Sequence, residues 1–120
     1  CAQAVACSFC QEFGIDENEM FRIAEGFGLG MSVMEMCGAL SGMAMIIGLS
    51  NSRGNTEEGS GSKGDTYKKL RTYIQKFKEK NGSCICRELK GVETGKVLCS
   101  CPQCITDAVA LTEEYLAENR

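Results

Sequence analysis

The chain has 120 residues, of which 43% are hydrophobic and none is a histidine, and this length suits a single domain over residues 1–120. Without an imidazole, the protein cannot use Ser-His-Asp or Cys-His catalysis, a histidine ligand to zinc, or histidine-ligated haem. The net charge of −3 argues against nucleic acid as a partner.

The first two predicted elements are amphipathic helices that form a hairpin. In residues 2–13 the apolar side chains repeat at helical spacing and define one buried face: Ala2, Val5, Ala6, Phe9 and Phe13. Gly14 ends this helix, and residues 16–19 (DENE) have the pattern of a capping box that begins the second one. The predicted buried residues of the second helix are Met20, Phe21, Ile23, Ala24 and Phe27.

A third, almost entirely apolar helix is predicted to be the central element. Gly26, Gly28 and Gly30 end the second helix, and residues 32–35 (SVME) form another capping box, for a helix that runs to about Leu49. Its predicted core residues are Met36, Leu40, Met43, Ala44, Ile46 and Ile47. A transmembrane span is the competing interpretation, but the apolar run of about 14 residues is shorter than the roughly 20 that a bilayer requires. We therefore expect no membrane insertion.

A flexible internal loop and a fourth helix follow. Residues 50–64 are rich in Gly and Ser and lack apolar anchors, which is typical of a linker. The fourth helix is predicted to begin at an Asp65 cap, to end at Asn81 and Gly82, and to bury Tyr67, Leu70, Ile74 and Phe77. Its other face is either simply solvated or a docking face for an acidic redox partner, and it carries Lys68, Lys69, Arg71, Lys76, Lys78 and Lys80.

The end of the chain predicts a loop and a fifth helix. Residues 83–98 look irregular, with turns at Gly91 and Gly95. Pro102 fits the first position of a helix capped by Ser100 or Cys101. The predicted core face of this helix is Ile105, Ala108, Val109, Thr112, Tyr115 and Leu116. The sequence therefore predicts an all-α bundle of about five helices with a Gly/Ser-rich internal loop.

Nine cysteines are the unusual feature of the composition. Because nine is odd, one thiol would be left over if all others paired within the chain. Residues 1–13 also lack the basic region of a signal peptide. We therefore expect a reducing, cytoplasmic compartment, where clustered cysteines serve metals or redox chemistry more often than structural disulfides.

The positions of the cysteines suggest different roles. Cys101 and Cys104 lie at a predicted helix N-terminus, which favours thiolates, so both are candidate redox thiols. Cys7 and Cys10 form a CxxC pair inside the first helix and are predicted to be accessory thiols, with buried packing or a local disulfide as the alternative. After Cys37, Gly38 and Gly42 lie on one helix face. They allow close approach of another helix, a cofactor, or a second copy in a homodimer.

Four thiolates can bind either a structural zinc ion or an iron–sulfur cluster. The spacing matches neither two close CxxC knuckles nor a common ferredoxin pattern. A dithiol–disulfide couple is a third use of such thiols. Spacing alone therefore indicates a cysteine-based redox or metal site without choosing among these chemistries.

Several motifs in order along the chain carry a family resemblance. They are CAQAV at residues 1–5, GFGLG at 26–30, CGALSG at 37–42, GL at 48–49, CREL at 86–89, CITDA at 104–108 and EEYL at 113–116. This set resembles the redox-active family named for its C-GCAxxG-C-C cysteine pattern. Members of that family are similar small helical proteins of bacteria and archaea, and similar domains occur in split-Soret cytochromes, where an iron–sulfur centre accompanies haem.

The resemblance implies a site made by four signature cysteines: Cys1, Cys37, Cys86 and Cys104. It implies that they bind an iron–sulfur cluster for electron transfer with a redox partner protein, with zinc as the alternative cofactor. Haem does not carry over, because this chain has no histidine. The other interpretations are a thiol-disulfide oxidoreductase that attacks through Cys101 or Cys104, and a protein-binding module stabilised by zinc or disulfides.

Overall fold

The computed structural model describes residues 1–57, 59 and 61–119, and in these residues it is all-α, with seven helices and no strand. The helices are α1 (Ala2–Cys7), α2 (Cys10–Phe13), α3 (Glu17–Ala24), α4 (Gly38–Asn51), α5 (Lys63–Asn81), α6 (Cys86–Lys90) and α7 (Cys101–Glu118). The predicted fold class is therefore confirmed. The predicted internal loop includes residues 58 and 60, and the predicted domain includes residue 120; these three lie outside the described residues.

No helix in the described part of the chain has the length and apolar character needed to cross a bilayer.

Helix α4 is the central element, as predicted, and packs against α1, α5 and α7. Its apolar side chains are fully buried at Leu40, Met43, Ile46 and Ile47. Helix α1 lies very close to α4 because Gly42 has no Cβ. A Cβ there would lie 2.8 Å from both the Ala2 carbonyl oxygen and the Val5 Cβ. Gly42 therefore serves a contact within the chain.

The predicted first helix is divided into α1 and α2 by a turn at Ser8 and Phe9. The Ser8 hydroxyl donates to the Ala4 carbonyl at 2.6 Å, and the Phe9 N–H turns back to Ala6 at 3.3 Å. Such side-chain bonds to the preceding turn compete with helix continuation and bend helices. The predicted buried face is nevertheless kept, and Gly14 ends α2 in the left-handed conformation.

Helix α3 begins as predicted but buries a narrower stripe than expected. The Glu19 N–H donates to the Asp16 side chain at 2.8 Å, which is the predicted cap. Only Met20 and Ala24 are fully covered, against α1. Phe21 and Ile23, which were predicted to be buried, are 49% and 62% exposed, because they flank this stripe about 80° to either side. Phe27, in the short 3₁₀ turn Glu25–Phe27, is half-buried.

A left-handed turn replaces the capping box predicted for residues 32–35. Four non-glycine residues have φ between 53° and 68°: Leu29, Met31, Ser32 and Met34. L-residues reach this region at a cost of roughly 1–2 kcal/mol each. The Glu35 N–H closes the turn on the Gly30 carbonyl at 3.0 Å. Helix α4 consequently has Cys37, and not Ser32, as its N-cap.

Helix α5 starts earlier than predicted, at Lys63, and Ser62 rather than Asp65 is its N-cap. Gly82 ends it with a φ of 85°, as predicted. Tyr67 is 56% exposed, so its prediction as a core residue is wrong. The aromatic core residue of α5 beside Phe77 is instead Tyr73, which packs edge-on against Tyr115 of α7 with ring centroids 5.6 Å apart.

Three of the six predicted basic-face residues of α5 form ion pairs within the protein. Lys80 Nζ lies 2.8 Å from the buried Asp107 of α7, and Lys76 Nζ lies 2.6 Å from Glu114. Lys69 pairs with Asp65 one turn earlier, at 3.4 Å. Lys76 and Lys80 therefore tie α5 to α7, and the use of this face for docking stays a prediction.

Residues 83–98 contain the short helix α6, so the irregular structure predicted there is wrong for residues 86–90. Gly91 ends α6 with a φ of 71°, and Gly95 has a φ of 74°, as the predicted turns require. Ser100 caps α7 by accepting from the Gln103 N–H at 3.3 Å, with Pro102 at its second position. The predicted α7 core is found, with Ala108, Thr112, Tyr115 and Leu116 buried and Ile105 and Val109 half-buried.

Candidate cysteine site

A cavity of about 70 Å³ at one end of the bundle is lined by six cysteines. They are Cys1, Cys37, Cys86, Cys99, Cys101 and Cys104, and we call this space the cysteine cavity. The remaining lining residues are Leu29, Gly30, Gly38, Leu89 and Lys90. A single water needs roughly 10–15 Å³ measured in this way, so the cavity has room for a small group of several atoms. All four cysteines predicted as ligands, and both candidate redox thiols, lie at this cavity.

Four helices begin at the cysteine cavity. Cys1 is the N-cap of α1, and Cys37 is the N-cap of α4. Cys86 is the first residue of α6, where a loop had been predicted, and Cys104 lies in the first turn of α7. Helix N-termini carry partial positive charge and unpaired N–H groups. The cavity is therefore favourable for a negatively charged group.

Backbone pairing between residues 35–37 and 84–86 holds two of the cysteines in place. The Cys37 N–H donates to the Cys84 carbonyl at 2.9 Å, and the Cys86 N–H donates to the Glu35 carbonyl. Met36 and Ile85 lie opposite each other in this isolated antiparallel bridge. These bonds use main-chain atoms only, so they do not depend on the cysteine side chains.

Two glycines allow the other chain segments to approach closely. A Cβ at Gly38 would lie 3.0 Å from the Phe27 carbonyl oxygen and 3.2 Å from the Cys1 Cβ. A Cβ at Gly30 would lie 2.6 Å from the Glu35 nitrogen and 2.9 Å from the Cys86 Cβ. Gly38, like Gly42, therefore serves an internal contact, and the homodimer that these glycines also allowed stays a prediction.

Most thiols of the cavity are shielded from water. Cys37, Cys86, Cys99 and Cys104 are buried, and Cys1 and Cys101 are half-buried. Burial raises the pKa of Cys104 far above its usual range, and hydrogen bonding to Cys99 raises this pKa further. Burial is also the main cause that raises the pKa values of Cys86 and Cys99. Burial therefore opposes the thiolate that the helix N-terminus favours at Cys104, and the role of this residue as a redox thiol stays a prediction.

Three cysteines lie away from the cysteine cavity, and one that lines it had no predicted role. Cys7 and Cys10 lie together at a different surface cavity, beside Asp16 and Glu17. Cys84 is buried in the hydrophobic core. Cys99 is the one cysteine among the cavity's described lining residues for which the sequence predicted no role. Its only signal was the CxC spacing to Cys101, which does not show in which direction a loop side chain points.

All nine cysteines are free thiols. Among residues 1–57, 59 and 61–119, no group of three or more histidine, cysteine, aspartate or glutamate side chains is arranged to hold a metal ion. Whether the four predicted ligands bind a cofactor therefore stays a prediction.

Comparison with known proteins gives one match. No curated protein and no solved structure matches the chain. Residues 1–115 match the model of the family described as "Putative redox-active protein (C_GCAxxG_C_C)". This match spans all of the cavity cysteines and nearly the whole of the bundle. The chain therefore belongs to the C_GCAxxG_C_C family of cysteine-containing, redox-active proteins.

Proposed function

We propose that Cys1, Cys37, Cys86 and Cys104 hold an iron–sulfur cluster in the cysteine cavity and that the protein transfers single electrons. The observation that supports this most strongly is the convergence of these cysteines. They come from four separate parts of the sequence, and each lies at the start of a helix that begins at the cavity. Ordinary core packing of cysteines does not require this arrangement.

The donor atoms at the cavity suit such a cofactor. Thiolates are the ligands that iron–sulfur clusters use in proteins. Among the described residues, no acidic side chain lines the cavity, and its polar lining side chains are the six thiols and Lys90. Sulfur-rich lining without carboxylates favours a soft or borderline metal over magnesium or calcium. When bound, the cluster supplies one-electron chemistry, and the chain supplies the ligands and their surroundings.

The helix ends at the cavity also support an anionic group, although burial opposes free thiolates there. A cluster with four thiolate ligands carries negative charge. The N-terminal ends of four helices surround it with partial positive charge, and Lys90 adds a cation. Burial of Cys37, Cys86 and Cys104 limits the access of water. Such surroundings tune the potential of a cluster through its charge and hydrogen bonding.

The decisive experiment is metal and sulfide analysis of protein purified without oxygen. We expect brown protein that contains iron and acid-labile sulfide. Colourless protein that contains zinc would contradict the proposal in favour of a structural zinc site. Metal-free protein with reversible loss of thiols would instead support disulfide exchange.

Two matched serine variants test the ligand assignment. Cys37→Ser should lose the cofactor, and the fold should persist because the bond to Cys84 uses the Cys37 backbone N–H. Cys7→Ser should keep the cofactor, because Cys7 lies at the other cavity. The readouts are iron per protein chain and the far-ultraviolet circular dichroism spectrum. Equal cofactor loss from both variants would contradict the assignment.

An electron carrier needs a redox partner protein, and we propose that this partner approaches the mouth of the cysteine cavity. The half-buried Cys1 and Cys101 and the exposed Leu29 mark this mouth. Leu29→Glu should slow electron exchange with a protein partner while iron content stays unchanged. An unchanged rate would place the docking surface elsewhere, for example on the basic face of α5.

A further inference from the structure

The turn between α1 and α2 forms a second sulfur-containing site, separate from the cysteine cavity. Cys7 is the last residue of α1, Cys10 is the first residue of α2, and both line a surface cavity with Asp16 and Glu17. Along α1, Cys7 lies six residues from Cys1, which corresponds to about 9 Å of helix rise. The two cavities share no lining residue.

We propose that Cys7 and Cys10 form a reversible dithiol–disulfide couple that reacts with small, uncharged or cationic disulfides. Residues three apart across a helical turn have Cβ atoms about 5–6 Å apart. Disulfides need Cβ atoms about 3.5–4.5 Å apart, so closure requires an inward movement of about 1–2 Å. The turn at Ser8 and Phe9 already interrupts the helix between the two cysteines, and this makes such a movement easier than it is within a continuous helix.

The two thiols line the same cavity and differ in access. The Cys7 thiol lies 3.9 Å from the Glu17 carbonyl oxygen, and the Cys10 thiol lies 3.6 Å from the Ala6 carbonyl oxygen. Cys7 is half-buried at the cavity, whereas Cys10 is only 2% exposed. Cys7 is therefore the thiol that an external disulfide can reach, and Cys10 is placed to react only with Cys7.

The exchange reaction balances without any further reactant. The Cys7 thiolate attacks one sulfur of the small disulfide, so that a mixed disulfide forms and one thiolate leaves. That thiolate takes up the proton that Cys7 lost. The Cys10 sulfur then attacks the Cys7 sulfur, and the second small thiol leaves with the Cys10 proton. The cysteine pair is oxidised by two electrons, and the small disulfide is reduced to two thiols.

The charge around the pair sets the class of disulfide that it accepts. Residues 2–21 contain four acidic residues and no basic one. Asp16 and Glu17 line the same cavity as the two thiols. Burial first, then Cys7, Glu17 and Asp16, raise the pKa of Cys10. The same negative charge repels an anionic disulfide and attracts a cationic one.

The test uses the full chain, as purified with any bound cofactor. It is incubated with cystamine, a cationic disulfide, or with glutathione disulfide, an anionic one, and the free thiols are then alkylated. Tandem mass spectrometry of the tryptic peptide of residues 1–22 locates the bridge. We expect a Cys7–Cys10 disulfide that dithiothreitol reverses and that forms at least tenfold faster with cystamine. Separate alkylation of both thiols after cystamine treatment would overturn the proposal, and faster reaction with glutathione disulfide would overturn the stated class.

Variants of the pair separate the two roles. Cys10→Ser should stop at a stable mixed disulfide on Cys7, whereas Cys7→Ser should leave Cys10 unmodified because Cys10 is buried. Reaction of Cys10 in Cys7→Ser at the wild-type rate would contradict the order of attack. Cys37→Ser serves as the control and should keep the Cys7–Cys10 bridge. The Cys7–Cys10 bridge would therefore form even if the cluster proposal is wrong. The cluster proposal would likewise stand if the bridge does not form.

Discussion

Gly42 offers the sharpest test of how α1 is held against α4. An alanine there adds a Cβ 2.8 Å from the Ala2 carbonyl oxygen, 2.8 Å from the Val5 Cβ and 3.2 Å from the Ala6 nitrogen. Two of these three contacts are backbone atoms, so relief requires movement of the whole helix. Such overpacking costs about 1–3 kcal/mol, while the gain in helix propensity from Gly to Ala is about 0.5–1 kcal/mol. Gly42→Ala should therefore be destabilised by about 1–2 kcal/mol.

Gly48, near the other end of the same helix, is the matched control. Apart from its chain neighbours and the nearby backbone of its own helix, no atom of the described residues lies within 4 Å of a Cβ placed there. Gly48→Ala should therefore gain about 0.5–1 kcal/mol from helix propensity alone. Urea unfolding of the reduced, cofactor-free protein, followed by circular dichroism, measures both variants under the same conditions. If Gly42→Ala proves as stable as Gly48→Ala, the close crossing of α1 and α4 is refuted.

Two further predictions concern backbone strain and pH. Met31→Gly should stabilise the protein by about 1 kcal/mol in urea unfolding, because Met31 has a φ of 62°. The control is Val33→Gly, two residues later in the same exposed segment; Val33 has no positive φ, so this variant should be less stable than the wild type. Hydrogen bonds from Lys80, Gln103 and Asn81 outweigh burial and lower the pKa of Asp107, so this carboxylate stabilises the fold at neutral pH. That contribution is lost as the pH falls below about 4. Asp107→Asn should be less stable than the wild type by about 2 kcal/mol at pH 7. Its free energy of unfolding should also decrease less than that of the wild type as the pH falls. A variant with the wild-type acid dependence would show that Asp107 is not the group responsible.

The elements with strong hydrophobic periodicity could be predicted from the sequence. Helix α7 has its predicted core face. Helix α4 buries four of its six predicted core residues, since Ala44 is half-buried and Met36 lies before the helix. Three helix termini, at Asp16, Gly82 and Ser100, are where the sequence predicts them. The left-handed turn before α4 could not be predicted, because the pairing of residues 35–37 with residues 84–86 fixes it. The preference of Ser32 for a helix N-cap acts locally, whereas the hydrogen bonds between residues 35–37 and 84–86 join distant parts of the chain, and helix α4 begins after them.

The candidate site was only partly accessible from the sequence. Cys1, Cys37, Cys86 and Cys104 follow from the family resemblance; the structure places all four at one cavity, and their role as ligands stays a prediction. Cys99 could not be assigned, since the direction of a loop side chain depends on tertiary packing. The burial that raises the pKa of Cys104 was missed for a related reason: helix position is visible in a sequence, whereas the depth of burial is not.

The cysteine cavity draws on Cys1 and on Cys104 of α7, which lie 103 residues apart in the sequence. During synthesis on a ribosome, Cys1 therefore leaves the exit tunnel long before Cys104 can join it. A group held by both residues can be fully bound only after α7 has emerged. Once bound, such a group would also protect the bundle against proteolysis, because it links distant segments of the chain.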